Sequence, residues 1–210
     1  MNSTALMLLL EKKGIDFESI FVDHGGDYPE TYEYIDYLRS LGHKITTIVP
    51  DVQGFKTIEE FCLKKHVIPT RKLRFCTFRF KLRPMYKYVE KPCILYVGIS
   101  ADESRRISGY KEGKGGVKQE YPLVEWGITR QKCIQIIEEA KLRVPRKSGC
   151  WLCPFMPRKE VRRLYLEHPD LYQRRKALEK NCRRKDLYLE PGIPIEKLAL
   201  EDVPPLTRWM

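Results

Sequence analysis

The sequence predicts an α/β fold: a mostly parallel sheet flanked by helices, with a basic, cysteine-bearing helical subdomain at the C-terminal end. Three observations lead there. Helix-period and strand-like stretches alternate from the first residues, the pattern of successive β-α-β units. Two strand-like runs end in polar turns, Val22-Asp23-His24-Gly25-Gly26 and Gly98-Ile99-Ser100-Ala101-Asp102-Glu103-Ser104, which is where open parallel sheets bind ligands. After Pro145 the composition shifts to Cys, Pro and Arg. The expected division is an α/β domain over 1–142 and a subdomain over 143–210.

Each element has a local reason. Residues 4–13 form an apolar helix with Ser3 as N-cap and Gly14 as its stop. A short strand over 19–22 follows, and Pro29 suits the first turn of a helix to about 41, closed by Gly42. The β-branched run 45–49 reads as a strand, 58–65 as a short helix, and 81–90 as a helix whose start Pro84 restricts. Residues 93–98 make a second apolar strand, 111–118 a Gly/Lys-rich loop, and 121–126 an extended segment. Helices are expected over 129–142, 158–167 and 170–182.

Charge narrows the function classes. Of 210 residues, 39 are Lys or Arg and 28 Asp or Glu, a net charge of +11. Residues 141–185 hold 15 basic and four acidic side chains, and 64–91 hold ten basic and one acidic. The remainder is acidic, so two basic segments sit on an acidic body, an arrangement suited to a phosphate-rich partner. No apolar run approaches the ~20 residues that cross a bilayer, and no basic leader precedes the apolar stretch at 5–10. A cytoplasmic protein with no membrane partner is expected. Its seven cysteines then read as reduced thiols, metal ligands or redox groups, not as a disulfide scaffold.

The sharpest local motif is Gly149-Cys150-Trp151-Leu152-Cys153-Pro154. A Cys-x-x-Cys hairpin presents two thiolates to zinc, to an iron–sulfur cluster, or to each other as a redox pair. The neighbouring cations Arg146, Lys147 and Arg158 favour the thiolate in all three cases. Cys62 and Cys133 fall on apolar helix faces and read as small core residues, and Cys93 opens a buried strand.

Taken together, these stretches resemble the phosphoadenosine phosphosulfate (PAPS) reductase family of adenine nucleotide α-hydrolase-like proteins, the PP-loop fold. Asp23-His24-Gly25-Gly26-Asp27-Tyr28-Pro29-Glu30-Thr31 is similar to its Asp-Thr-Gly turn followed by Pro-Glu-Thr. Cys76-Thr77 with Lys81 and Pro84 is similar to its Cys-Thr/Cys…Lys…Pro segment. Gly98-Ile99-Ser100-Ala101-Asp102-Glu103-Ser104-Arg105-Arg106 resembles its Gly-Ile-x-x-Asp-Glu-Ser-x-Arg signature, and Pro122-Leu123-Val124-Glu125-Trp126 its Pro-Leu-x-x-Trp stretch. Of the family's Ser-Gly-Gly-x-Asp-Ser phosphate loop only the last part has a counterpart, Asn2-Ser3, with Asn2 in place of Asp.

The resemblance implies an enzyme that binds an adenine nucleotide (ATP or PAPS) and transfers sulfur or an adenylyl group. Asn2, Ser3, Asp23, Gly25, Gly98, Asp102, Glu103 and Arg106 would bind the nucleotide. Lys81 and Arg105 would act catalytically, with Arg106 also neutralising phosphate or sulfate charge. For Arg105 and Arg106 the plain alternative is a surface pair contacting Asp102 or Glu103. The resemblance further implies a [4Fe–4S] cluster, ahead of zinc, on Cys76, Cys150 and Cys153. Thr77 stands at the family's fourth ligand position, and Cys182 is the substitute. Sulfonucleotide reductases carry a C-terminal Glu-Cys-Gly-Leu-His motif, whereas this sequence closes Leu206-Thr207-Arg208-Trp209-Met210. Sulfur insertion is therefore expected ahead of PAPS or adenylyl-sulfate reduction, with nucleic acid or a sulfur-donor protein as partner. A second class, a nucleic-acid-associated module, would use Trp151, Phe155, Tyr165 and Tyr172 among the basic residues of 141–185. For Tyr165 and Tyr172 a core position in the last helices is the favoured reading.

Overall fold

A computed structural model describes residues 1–109, 115–146, 148–184, 188–189 and 195. Part of the 111–118 loop, Lys147 and Lys185 lie outside the described residues. The chain divides into two units, each assembled from separate stretches of sequence. The first comprises Met1–Phe21, Pro29–Ile48 and Met85–Ser148; the second comprises Val22–Tyr28, Val49–Pro84 and the described residues from Gly149 on. No helix among the described residues is long and apolar enough to cross a membrane.

In the first unit, α1 (Asn2–Lys12) packs on α7 (Arg130–Glu139). Ala5, Leu6 and Leu10 meet Cys133, Ile137 and Leu123 in one buried cluster. The side chain of Thr129 caps α7, accepting from the Lys132 N–H. Strands β1 (Ser19–Val22) and β2 (Ile45–Ile48) form one two-stranded sheet, with α2 (Pro29–Ser40) between them in sequence. Strands β3 (Cys93–Tyr96) and β4 (Val117–Glu120) form another, parallel, with Cys93 beside Val117 and Tyr96 beside Glu120.

The α/β class holds, but the expected single sheet is two short ribbons among the described residues. Each strand has four residues, and none is the fully buried run that a central parallel strand needs; Ile94 is 48% exposed. Three local expectations are also corrected. Helix α1 begins at Asn2, so Ser3 lies inside its first turn and is not its cap. The stretch 121–126 is not extended: Pro122 opens the short helix α6 (Pro122–Glu125), where its fixed φ and missing N–H cost nothing, and Leu123 is buried. The polar turn at 99–104 winds into a 3₁₀ helix, Ala101–Gly109.

The second unit is mainly helical: α3 (Ile58–Lys65), α4 (Phe75–Thr77), α8 (Arg158–Glu167) and α9 (Pro169–Asn181). A π-helical turn, Phe78–Leu82, joins α4 to α5 (Arg83–Tyr88). The helix expected over 81–90 thus starts earlier and changes pitch, with Pro84 in the first turn of α5, where a missing N–H is tolerated. Phe61 stacks edge-on against Phe55 and Phe80, and Trp151, Leu152, Leu164, Leu171 and Leu178 complete the core.

Two charges are buried in this core. Arg175 Nη1 donates to the Trp151 carbonyl at 2.6 Å, and Glu179 accepts from the N–H groups of Leu189 (3.0 Å) and Ile195 (3.1 Å). One turn apart on α9, the two also attract each other, so neither is an uncompensated charge. The start of α3 carries a capping box: Thr57 Oγ1 accepts from the Glu60 N–H and Glu60 returns to the Thr57 N–H. Thr57→Ala is expected to destabilise the protein by about 1 kcal/mol, measured by urea unfolding. An unchanged midpoint would show that the cap contributes nothing.

Candidate functional site

In the second unit the 23–28 turn and the Cys-x-x-Cys loop are joined through backbone. Asp27 and Cys150 form an antiparallel bridge, and the Trp151 N–H donates to the Gly26 carbonyl at 2.9 Å. The approach is close enough that a Cβ on Gly26 would stand 2.8 Å from Cys150 Sγ and 3.0 Å from His24 Nδ1. Glycine at this position is a steric requirement. The Asp23 carboxylate accepts from the Gly25 N–H (3.0 Å), and the His24 carbonyl accepts from the Ile58 N–H (3.0 Å), fixing the turn against the start of α3.

His24 is fully buried. Its Nδ1 accepts from the Gly26 N–H at 3.0 Å, so the neutral ring carries its proton on Nε2, 3.4 Å from Asp27 Oδ2. Burial, then the Lys81 ammonium, pushes His24 down to about 3. Burial pushes Asp27 up to about 6, against the pull of Lys81. The pair is therefore a neutral imidazole beside a carboxyl whose ionisation is delayed to about pH 6, both in the field of one lysine.

The same lysine faces thiols. Burial raises Cys76 and raises Cys150 to about 12, and in both Lys81 is the first opposing influence. Cys62, raised chiefly by burial, is influenced next by Cys76, Cys150 and Cys182. Cys62 and Cys182 are buried members of the core cluster against which Cys76 and Cys150 pack, and Cys153 acts on both Cys76 and Cys150. Cys76 and Cys150 thus share the influence of Lys81, and both pack against the core cluster that holds Cys62 and Cys182. Cys62 is fully buried in that core, the position that the sequence predicts for it. Among the described residues no three cysteine sulfurs lie within 4.8 Å of one another.

The remaining expected residues, apart from Asp23 and Gly25 above, lie in the first unit. Asn2 Nδ2 donates to Ser100 Oγ (3.1 Å) and to Glu103 Oε2 (3.2 Å), while its buried Oδ1 has no hydrogen-bond partner. A Cβ on Gly98 would stand 3.0 Å from the backbone nitrogen and hydroxyl of Ser3, so this turn lies against the first turn of α1. Asp102 is lowered by hydrogen bonds, first from Ser100 and then from the Arg130 N–H, and so holds the start of α7. Arg106 pairs with Glu103 at 3.2 Å, the surface-pair alternative, and Arg105 is exposed on the same 3₁₀ turn.

Much of the basic C-terminal segment is structural. Arg174 forks onto Glu59 and lies over the Trp151 ring, and Arg163 lies over Tyr28. Of the four aromatics considered for base stacking, Trp151 and Tyr172 are buried and Tyr165 packs edge-on against Tyr172. Phe155 is 46% exposed. His24, Asp27 and Arg175 were missed because a short Gly/Asp turn and a run of surface-type helix charges look ordinary in one dimension.

No protein-family model matches the chain. It is similar to two uncharacterized proteins of Methanocaldococcus jannaschii. With MJ0973 the identity is 27% over 188 residues, covering 82% of this chain and 44% of the relative. With MJ0066 it is 26% over 185 residues, covering 80% of this chain and 37% of the relative. The chain spans less than half the length of these curated relatives.

The opposed shifts of Asp27 and His24 give a pH signature. Asp27, raised from 3.8 to about 6, keeps its proton when folded but loses it when unfolded, so its contribution falls as pH rises through that window. His24, lowered from 6.5 to about 3, contributes stability that is lost as pH falls from 6.5 toward 3. Asp27→Asn removes the first slope while keeping an acceptor for His24. The variant is expected to exceed the wild type in stability at pH 7 by up to about 3 kcal/mol, with the difference vanishing near pH 4. Unfolding measured across pH 4 to 7 tests this; a variant less stable at pH 7 would refute it.

Proposed function

We propose that the protein is an adenine-nucleotide-dependent enzyme of sulfur or adenylyl transfer, acting in the cytoplasm. Its first unit would bind the nucleotide and its second would carry the sulfur chemistry on a cysteine-ligated [4Fe–4S] cluster. One observation carries the reading: Lys81 acts at once on Cys76, Cys150, His24 and Asp27. A cation set among thiols and a neutral imidazole can hold an anionic sulfur or phosphate group and stabilise charge as it develops. His24 Nε2–H is a donor, and Asp27, pushed up to about 6, can exchange a proton somewhat below neutral pH.

Four thiolates satisfy zinc or an iron–sulfur cluster, and the family resemblance prefers the cluster. Cys76, Cys150 and Cys153, with Cys182 or Cys62, are the residues that would hold it. When bound, it would supply redox-active iron and a net negative charge facing Lys81. All seven cysteines are unpaired, as a reducing compartment requires.

For the nucleotide, the supporting feature is the α1 start against the 98–103 turn, with Asn2 bridging to Ser100 and Glu103. Backbone N–H groups of a helix start favour phosphate. ATP titrated calorimetrically into the full chain should bind, and Gly98→Val should weaken binding at least tenfold, because the new side chain must displace Ser3. Equal ATP affinity in the variant would remove nucleotide binding from this turn. Incubation with PAPS and reduced thioredoxin should release no sulfite; robust release would assign literal reduction instead.

A further inference from the structure

We propose that the 70–74 turn and Phe155 form a platform for single-stranded nucleic acid, which names the acceptor class for the transfer reading above and, as an acceptor, rests on it. Phe155 follows the Cys150–Cys153 loop by two residues and is 46% exposed. Two guanidinium groups lie over its ring, Arg74 at 4.7 Å and Arg71 at 5.8 Å from the centroid. Leu73, between them in sequence, is 59% exposed.

This surface is preorganised. The Thr70 N–H donates to the Leu73 carbonyl at 3.2 Å, and Thr70 Oγ1 accepts from the Leu73 N–H at 2.9 Å, closing a tight turn. Arg71 Nε donates to the Pro154 carbonyl at 3.1 Å, tying that turn to the loop that bears Phe155. A ring and a guanidinium plane held together in this way offer flat faces on which an unpaired base can stack. Within the same unit, residues 64–84 hold eight basic side chains and no acid, from which phosphate contacts can be drawn. An acidic protein would match the charge but would leave the aromatic face unused, so the pairing of charge with an exposed ring favours nucleic acid. A duplex hides its bases, so single strands are the better fit.

The test is fluorescence anisotropy of a labelled 12-nucleotide single-stranded RNA with the full chain. No adenine nucleotide is added, so the result stands apart from nucleotide binding. Binding should weaken steeply as salt rises. Phe155→Ala should weaken it about five- to 150-fold with the salt slope unchanged, the range for one lost stacking contact. Arg74→Gln should weaken it and reduce the slope by about 0.7, the value for one single-strand phosphate contact. Circular dichroism of both variants confirms that they fold, which the exposure of both side chains favours. Absence of binding at low salt would overturn the proposal, as would RNA binding indifferent to both substitutions. Equal affinity for a duplex of the same length would overturn the stacking argument. Equal affinity for polyglutamate, unaffected by Phe155→Ala, would assign the surface to an acidic protein and overturn it as well.

Discussion

The second unit depends on the contact between Gly26 and the Cys150–Trp151 peptide. The bridge of Asp27 to Cys150 and the hydrogen bond from the Trp151 N–H to the Gly26 carbonyl bring a late loop onto an early turn. No side chain could occupy position 26 without moving Cys150 or His24. From the other side, Arg175 holds the Trp151 carbonyl and Arg174 covers the Trp151 ring while gripping Glu59. The Cys-x-x-Cys loop is thus held by α9 on one side and by the 23–28 turn on the other. Its thiols stand at a fixed place against Cys62, Cys76 and Cys182.

Electrostatics follow from that confinement. Burying thiols, an imidazole and a carboxyl together disfavours their charged forms, and each of Cys150, His24 and Asp27 responds by shifting toward neutrality. Lys81, exposed at the edge of the group, is the cation they share. The proposed thiolate-ligated cluster would deprotonate its cysteines on binding iron and leave an anionic assembly beside that cation.

What the sequence made legible was local. The short helix read over 58–65 and the periodicity of α8 place those helices where the structure has them. The Cys-x-x-Cys loop announces itself by spacing, and Cys76 was linked to it only through family resemblance. What stayed hidden was long-range. That Cys62 faces other thiols depends on α3 packing in the same core as the Cys150 loop, which its apolar helix face cannot reveal. Arg174 and Arg175 look like one more pair in a basic run, yet one is buried on a carbonyl and the other forks onto Glu59. Net charge counted along the chain therefore overstates what is available to phosphates. The alternation of helix and strand gave the α/β class but not the breaking of the sheet into two ribbons, because strands of four residues carry too little pattern to set pairing.

The cluster proposed for Cys76 and the Cys-x-x-Cys loop is tested by the iron and acid-labile sulfide content of the anaerobically purified full chain, for the wild type and for Cys76→Ser and Cys150→Ser. Iron and sulfide in equal amounts are expected in the wild type, with both lost in each variant while the helical circular dichroism persists. Wild-type protein that cannot be loaded with iron, or iron retained after Cys76→Ser and Cys150→Ser, would contradict it.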